Sequence, residues 1–152
     1  HAEITLKNVI DKEYALDGHI KEEEVRSLTV KALVDTGATR LCISEEMRQK
    51  LGLRIVGSKL ANMANGTVVK CQLAGPVELT WKERFFTSDA AVVPGLEKSL
   101  LGVIPLEAMD LTVNPSTQEL EYAHGDDWVE YPMSLFTDQG WANFYTKNPP
   151  SS

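Results

Sequence analysis

Residues 27–34 (SLTVKALV) place Leu28, Val30, Ala32 and Val34 at every second position, and the run ends in Asp35-Thr36-Gly37-Ala38. Alternation at period two predicts a strand with one buried face. A carboxylate directly after such a strand narrows the options, because an acid beside an apolar interior is costly unless it is paired, hydrogen-bonded or open to solvent. Gly37 permits close approach of another backbone, and Thr36 brings a donor and an acceptor into a tight loop. The tripeptide Asp-Thr-Gly by itself is weak, since roughly a few chains in a hundred of this length carry one by chance. The plain alternative is an Asx-type turn that closes the strand.

The flanking sequence is mostly β in character. Alternation at Ile4 and Leu6 predicts a strand over 3–9, and Asp17-Gly18 marks a turn. Leu41-Cys42-Ile43 reads as a short strand. Ser44 then looks like a helix N-cap with Glu45 and Glu46 in the first turn, and Gly52 stops that helix. Asn65-Gly66 between two strand-like runs is a strong hairpin signal. Val77, Leu79 and Trp81 alternate, and the chain returns from Phe85 to Val93 before breaking at Pro94-Gly95. Ser99-Leu100-Leu101-Gly102 is a short apolar run, Pro105 opens a brief helix through Met109, and 111–122 reads as a final hairpin. Many short strands with one or two short helices describe a small, closed, mostly β barrel.

With 152 residues the chain is expected to form one domain. The expected domain spans 1–122, followed by an arm at 123–152 that is aromatic but without periodicity. Fifteen basic against 22 acidic residues leave a net charge of −7, a poor basis for binding a phosphate backbone, so no nucleic-acid partner is expected. No apolar run approaches the ~20 residues of a membrane helix, and the first residues lack the pattern of a secretory signal. Cys42 and Cys71, 29 residues apart, form no disulfide framework or metal-ligand pair, which fits a cytoplasmic setting. Both read as small buried hydrophobes. His124-Gly125-Asp126-Asp127 is better explained as a polar loop than as a metal site, and neither metal nor cofactor is expected.

ALVDTGA (32–38), followed by Leu100-Leu101-Gly102, whose glycine lies 65 residues after Gly37, and by a short helix, resembles the retropepsin-like aspartic proteases. Its likeness is greatest to their cellular and bacterial single-domain members, and it extends over about residues 3–122. The resemblance implies a retropepsin-like acid-protease barrel active as a symmetric homodimer. It implies an aspartic endopeptidase whose substrate is a peptide or an unfolded protein segment. In that reading Asp35, Thr36 and Gly37 form the catalytic loop. Asp35 activates water, Thr36 bonds across the dimer, and Gly37 lets the substrate backbone lie close. Ala38, Thr39 and Arg40 would line the substrate groove, Met63, Ala64, Asn65 and Gly66 would form a flap over it, and Leu100, Leu101 and Gly102 would support the loop from beneath.

Elementary electrostatics adds a requirement. Hydrolysis by this route needs two carboxylates sharing one proton, and the chain has one Asp-Thr-Gly. A second copy of Asp35 must supply the other, on the two-fold axis of a dimer. Ala38 provides no hydroxyl to hydrogen-bond an ionised carboxylate, so an optimum nearer neutral pH is expected. Thr39-Arg40 stands where retroviral members often have acids, which points to a basic subsite. The competing reading from a different class is a dimer of the same fold that binds peptides or assembles complexes without cutting.

Overall fold

The computed structural model describes residues 1–62 and 65–124. Met63 and Ala64, and all but the first two residues of the expected 123–152 arm, lie outside the described residues. The elements are β1 (Ala2–Asn8), α1 (Val9–Leu16), a 3-10 turn (Glu22–Glu24), β2 (Ser27–Val34), β3 (Cys42–Ile43), α2 (Glu45–Leu51), β4 (Arg54–Asn62), β5 (Val68–Trp81), β6 (Arg84–Val92), β7 (Leu100–Leu101), α3 (Val103–Ala108), β8 (Leu111–Val113) and β9 (Leu120–Tyr122).

Seven strands form one sheet in the order β1-β2-β7-β3-β6-β5-β4, and a further β1–β5 pairing closes six of them into a barrel. β1 makes this closure because it has a partner on each side. Leu6 lies opposite Leu28 of β2 and opposite Leu79 of β5. The expected inward face of β2 is present, with Ala32 fully buried and Leu28, Val30 and Val34 packed against the core. Ile4, Leu6, Leu41, Ile43, Leu79, Leu101 and Met109 fill the interior, each fully or almost fully buried. Burying a side chain of this size contributes about 1.5–3 kcal/mol, so closure is driven by the side chains that the alternation predicts.

Three helices are present among the described residues, where one or two were expected. The additional one, α1, begins where the first strand ends. Asn8 takes an extended conformation and its Oδ1 accepts from the Asp11 N–H at 3.0 Å, while its Nδ2 donates to the Leu51 carbonyl at 2.8 Å. One buried asparagine thus caps α1 and holds the end of α2. The segment VIDKEYAL has only a weak apolar stripe, so periodicity gave no warning of the helix. α2 follows expectation, with Ser44 Oγ accepting from Met47 N–H and Gly52 in the left-handed conformation at its end. Pro105 is the third residue of α3 rather than its first, a position that also lacks an intrahelical partner for its nitrogen. The final hairpin is fastened by Arg84, which is 2% exposed, donates to the Met109 carbonyl at 2.7 Å and lies over the Tyr122 ring.

Candidate active site

The Asp35 loop is built on three short strands. β7 runs parallel to β2, with Leu33 beside Leu100 and Val34 beside Leu101, and antiparallel to β3 at Cys42. Backbone bonds continue this ladder into the loop. Leu33 N–H donates to the Ser99 carbonyl at 2.9 Å, and Asp35 N–H donates to the Leu101 carbonyl at 3.0 Å. Buried Ser99 in turn donates through Oγ to the Cys42 carbonyl at 2.8 Å, tying β7 to β3. Leu100 and Leu101 therefore pair with the last two residues of the strand that carries the loop, Leu33 and Val34. Ser99 is a supporting residue that the sequence pattern did not single out.

Within the loop, Ala38 N–H donates to the Asp35 carbonyl at 3.0 Å, and Gly37 N–H donates to Asp35 Oδ1 at 2.9 Å. The local geometry is thus that of an Asx turn, the plain alternative read from the sequence, but the carboxylate it holds is exposed and faces a groove. A Cβ at Gly37 would approach Asp35 Oδ1 to 3.1 Å, so glycine keeps that turn uncrowded. Gly102 has a stricter task. A Cβ there would fall 2.7 Å from the Ala38 oxygen and from both the nitrogen and the oxygen of Arg40, all backbone atoms. The first N–H groups of α3 fasten the same stretch, Val103 to the Ala38 carbonyl at 3.0 Å and Ile104 to the Thr39 carbonyl at 2.9 Å.

The groove has a volume of about 600 Å³. Asp35, Gly37, Ala38, Thr39 and Arg40 line one side. Leu100 and a small apolar cluster of Cys42, Cys71, Ala91 and Val93 form its floor, and Lys59, Leu60 and Ala61 of β4 contribute another wall. The sequence pattern anticipates the first group. It misses the β4 residues and Leu96, which long-range pairing brings to the groove, although Lys59 sits opposite Cys71 in the register of the hairpin signalled by Asn65-Gly66. Asn65 and Gly66 themselves lie at the hairpin tip, where Asn65 Oδ1 accepts from the N–H and hydroxyl of Thr67, and neither lines the groove. Met63 and Ala64, expected in the flap, are not among the described residues.

Neither cysteine is poised as a nucleophile. Burial first, then the proximity of Cys71 and of the Asp35 charge, push the Cys42 thiol up to about 11, against a smaller opposing effect of Arg40. Its hydrogen is directed to the Arg40 carbonyl, Sγ to oxygen 3.6 Å. Arg40 is half-buried, and its Nε is fully enclosed without a hydrogen-bond partner among the described residues. Thr36 is exposed, and among the described residues its hydroxyl has no partner. No cluster of three or more metal-ligating side chains occurs among the described residues, and no described helix is long and apolar enough to cross a membrane. His124 pairs with Asp110 at 2.7 Å, and the rest of the polar loop that follows lies outside the described residues.

Comparison with known proteins gives the family. Residues 22–108 match the family model described as "gag-polyprotein putative aspartyl protease". Among solved structures, the retroviral protease-like domain of Ddi1 from Leishmania major is similar, at 15% identity and a TM-score of 0.46, covering 66% of this chain and 82% of that one. A retropepsin-like aspartic protease from Rickettsia conorii is similar at 24% identity and a TM-score of 0.40, covering 57% of this chain and 68% of that one. No curated protein matches the sequence. With more than half its length matched and a closed barrel that ends a core strand in an exposed Asp-Thr-Gly, the chain belongs to the gag-polyprotein aspartyl protease family and has the retropepsin-like fold.

Proposed function

We propose that the chain is an aspartic endopeptidase that works as a symmetric homodimer, with water activated between two Asp35 carboxylates. The observation that most supports this is an unaccompanied acid: among the described residues lining the groove, Asp35 is the sole carboxylate. General acid–base hydrolysis needs two. The surface beside the loop favours a second copy as the source of the other. Leu33, two residues before Asp35, is 38% exposed, and Ile104, bonded to the end of the loop, is 43% exposed. Two apolar side chains open to water beside a polar loop fit a face that a symmetry mate covers.

In the dimer the pair of carboxyl groups holds one proton. The ionised member takes a proton from water as the water oxygen bonds to the substrate carbonyl carbon, and the protonated member gives its proton to the carbonyl oxygen. The resulting gem-diol collapses when the first carboxyl delivers its newly acquired proton to the amide nitrogen. The C–N bond breaks, and a diol hydroxyl returns a proton to the second carboxylate. Acid and amine leave, and the pair is again singly protonated. The Leu101 carbonyl and the Gly37 N–H hold Asp35 in place at the two ends of the residue, so little reorganisation is needed during the proton transfers.

The test is cleavage of a mixed peptide library across a range of protein concentrations, with sedimentation recorded in parallel. Activity should follow the dimer fraction, and Asp35→Asn should abolish it without dissociating the dimer. Cleavage by a strict monomer would refute the shared pair. Peptide binding that persists without cleavage in wild type and Asp35→Asn alike would favour the non-catalytic reading.

A further inference from the structure

We propose that Arg40 and Lys59 form a cationic subsite that selects substrates carrying an acidic side chain, Glu or Asp, within the bound segment. This rests on the endopeptidase reading of the same groove and adds to it the class of substrate.

Among the described residues, the charged groups that line the groove are Asp35, Arg40 and Lys59. In a chain of net charge −7, its lining is therefore net positive. In a dimer whose aspartate pair keeps one proton, four cationic side chains would face a single negative charge.

Arg40 has a fixed backbone and one side-chain donor without a partner among the described residues. Its backbone packs against Gly102, and its carbonyl accepts from the Cys42 thiol. Its Nε is enclosed and has no acceptor among the described residues. A half-buried guanidinium on a fixed backbone makes strong bonds to a planar carboxylate. Lys59 of β4 lines the same groove. It is paired directly across β4–β5 with Cys71, and directly opposed residues share a sheet face, so Lys59 lies on the face that Cys71 presents to the groove floor. The carboxylate of a bound peptide in this groove would meet an arginine set in a rigid loop and a lysine on a hairpin strand. Asp35 would repel that carboxylate, which places the acidic side chain away from the scissile bond.

Paired fluorescent peptides that differ only in Glu against Gln at one position, scanned along the segment, test the proposal. Both binding, by anisotropy, and cleavage are read for the wild-type protein, with binding also read for Asp35→Asn. At one position the Glu peptide should bind about tenfold more tightly. The preference should shrink at high salt, in Arg40→Gln and in Lys59→Gln, and vanish when both are replaced. Equal binding of every Glu/Gln pair to wild type overturns the subsite, whether or not the peptides are cut. Selective binding of the Glu peptide with no cleavage of any peptide leaves the subsite standing and removes the endopeptidase reading. Cleavage without acidic preference does the reverse. Because the wild-type comparison needs no substitution, misfolding of a variant leaves the test intact.

Discussion

Gly102→Ala isolates what holds the Asp35 loop in place. Gly102 has φ −88° and ψ −175°, an extended conformation open to any residue, so the substitution carries no backbone penalty of its own. Its effect is steric. The new methyl carbon would lie 2.7 Å from three backbone atoms of residues 38 and 40, about 0.7 Å inside ordinary contact. Relief requires the loop to move away from α3, against the two bonds from Val103 and Ile104. Overpacking of this kind costs about 1–3 kcal/mol, and each weakened hydrogen bond adds about 1 kcal/mol. The expected total is about 3–5 kcal/mol, or roughly 10–15 °C in melting temperature at this chain length. Because a dimer's stability depends on protomer concentration, both proteins are melted at one fixed concentration. The control is Gly57→Ala, where the added carbon meets open space and the change should stay within about 0.5 kcal/mol. Displacing the carboxylate by about 1 Å should also lower kcat/KM about a hundredfold in the folded variant. If Gly102→Ala melts and turns over like Gly57→Ala, the loop is not held by this contact.

Three further outcomes are expected. Arg26 donates through Nε and Nη2 to Asp11 at 2.8 and 2.9 Å, and these bonds hold the Asp11 carboxyl below its ordinary 3.8. The stabilisation is complete above that value and is lost as pH falls through the lower, folded-state value. Arg26 is 51% exposed, so Arg26→Ala should cost only about 1–2 kcal/mol at neutral pH. Its deficit in urea melts should close below about pH 4, and a deficit unchanged in acid would contradict the pairing. In Ala38→Ser a hydroxyl becomes available to an ionised carboxylate, so the acid limb of the pH–rate profile should move to lower pH; an unmoved limb refutes that role. With its thiol pushed up to about 11, Cys42 should react with a maleimide at neutral pH about a hundredfold more slowly than an ordinary cysteine, and at a normal rate once urea unfolds the chain. Fast labelling of folded protein would show the groove floor to be open.

How much of the molecule is legible in its sequence depends on how local the cause is. The β2 alternation, the Ser44 cap, the Gly52 stop and the 111–122 hairpin each depend on residues close in sequence, and each is present. Leu41, Ile43 and Val93, read as core, are buried. α1 was hidden because a strand and a helix meet at Asn8, whose capping bond to Asp11 is a short-range cue outweighed by the alternation before it. The groove's composition was only half legible. Asp35 to Arg40 are consecutive, but Lys59 and Cys71 reach the site through the β4–β5 register and Leu96 through the turn after β6, none of which a linear pattern encodes. Ser99 escaped notice for the same reason, since its value lies in a bond to Cys42, 57 residues away.

The fourteen residues of β5 belong to two mechanical regimes. From Val77 to Thr80 the strand is clamped by β1 on one side and β6 on the other, whereas from Val68 to Cys71 it is paired with β4 alone. The strand behaves as a cantilever, rooted in the barrel wall and free toward its tip. Amide protons of the outer span should exchange through small, frequent openings, and those near Leu79 only when the whole barrel comes apart. A disturbance of the outer span therefore leaves the pairing of β5 with β1 and β6 in place.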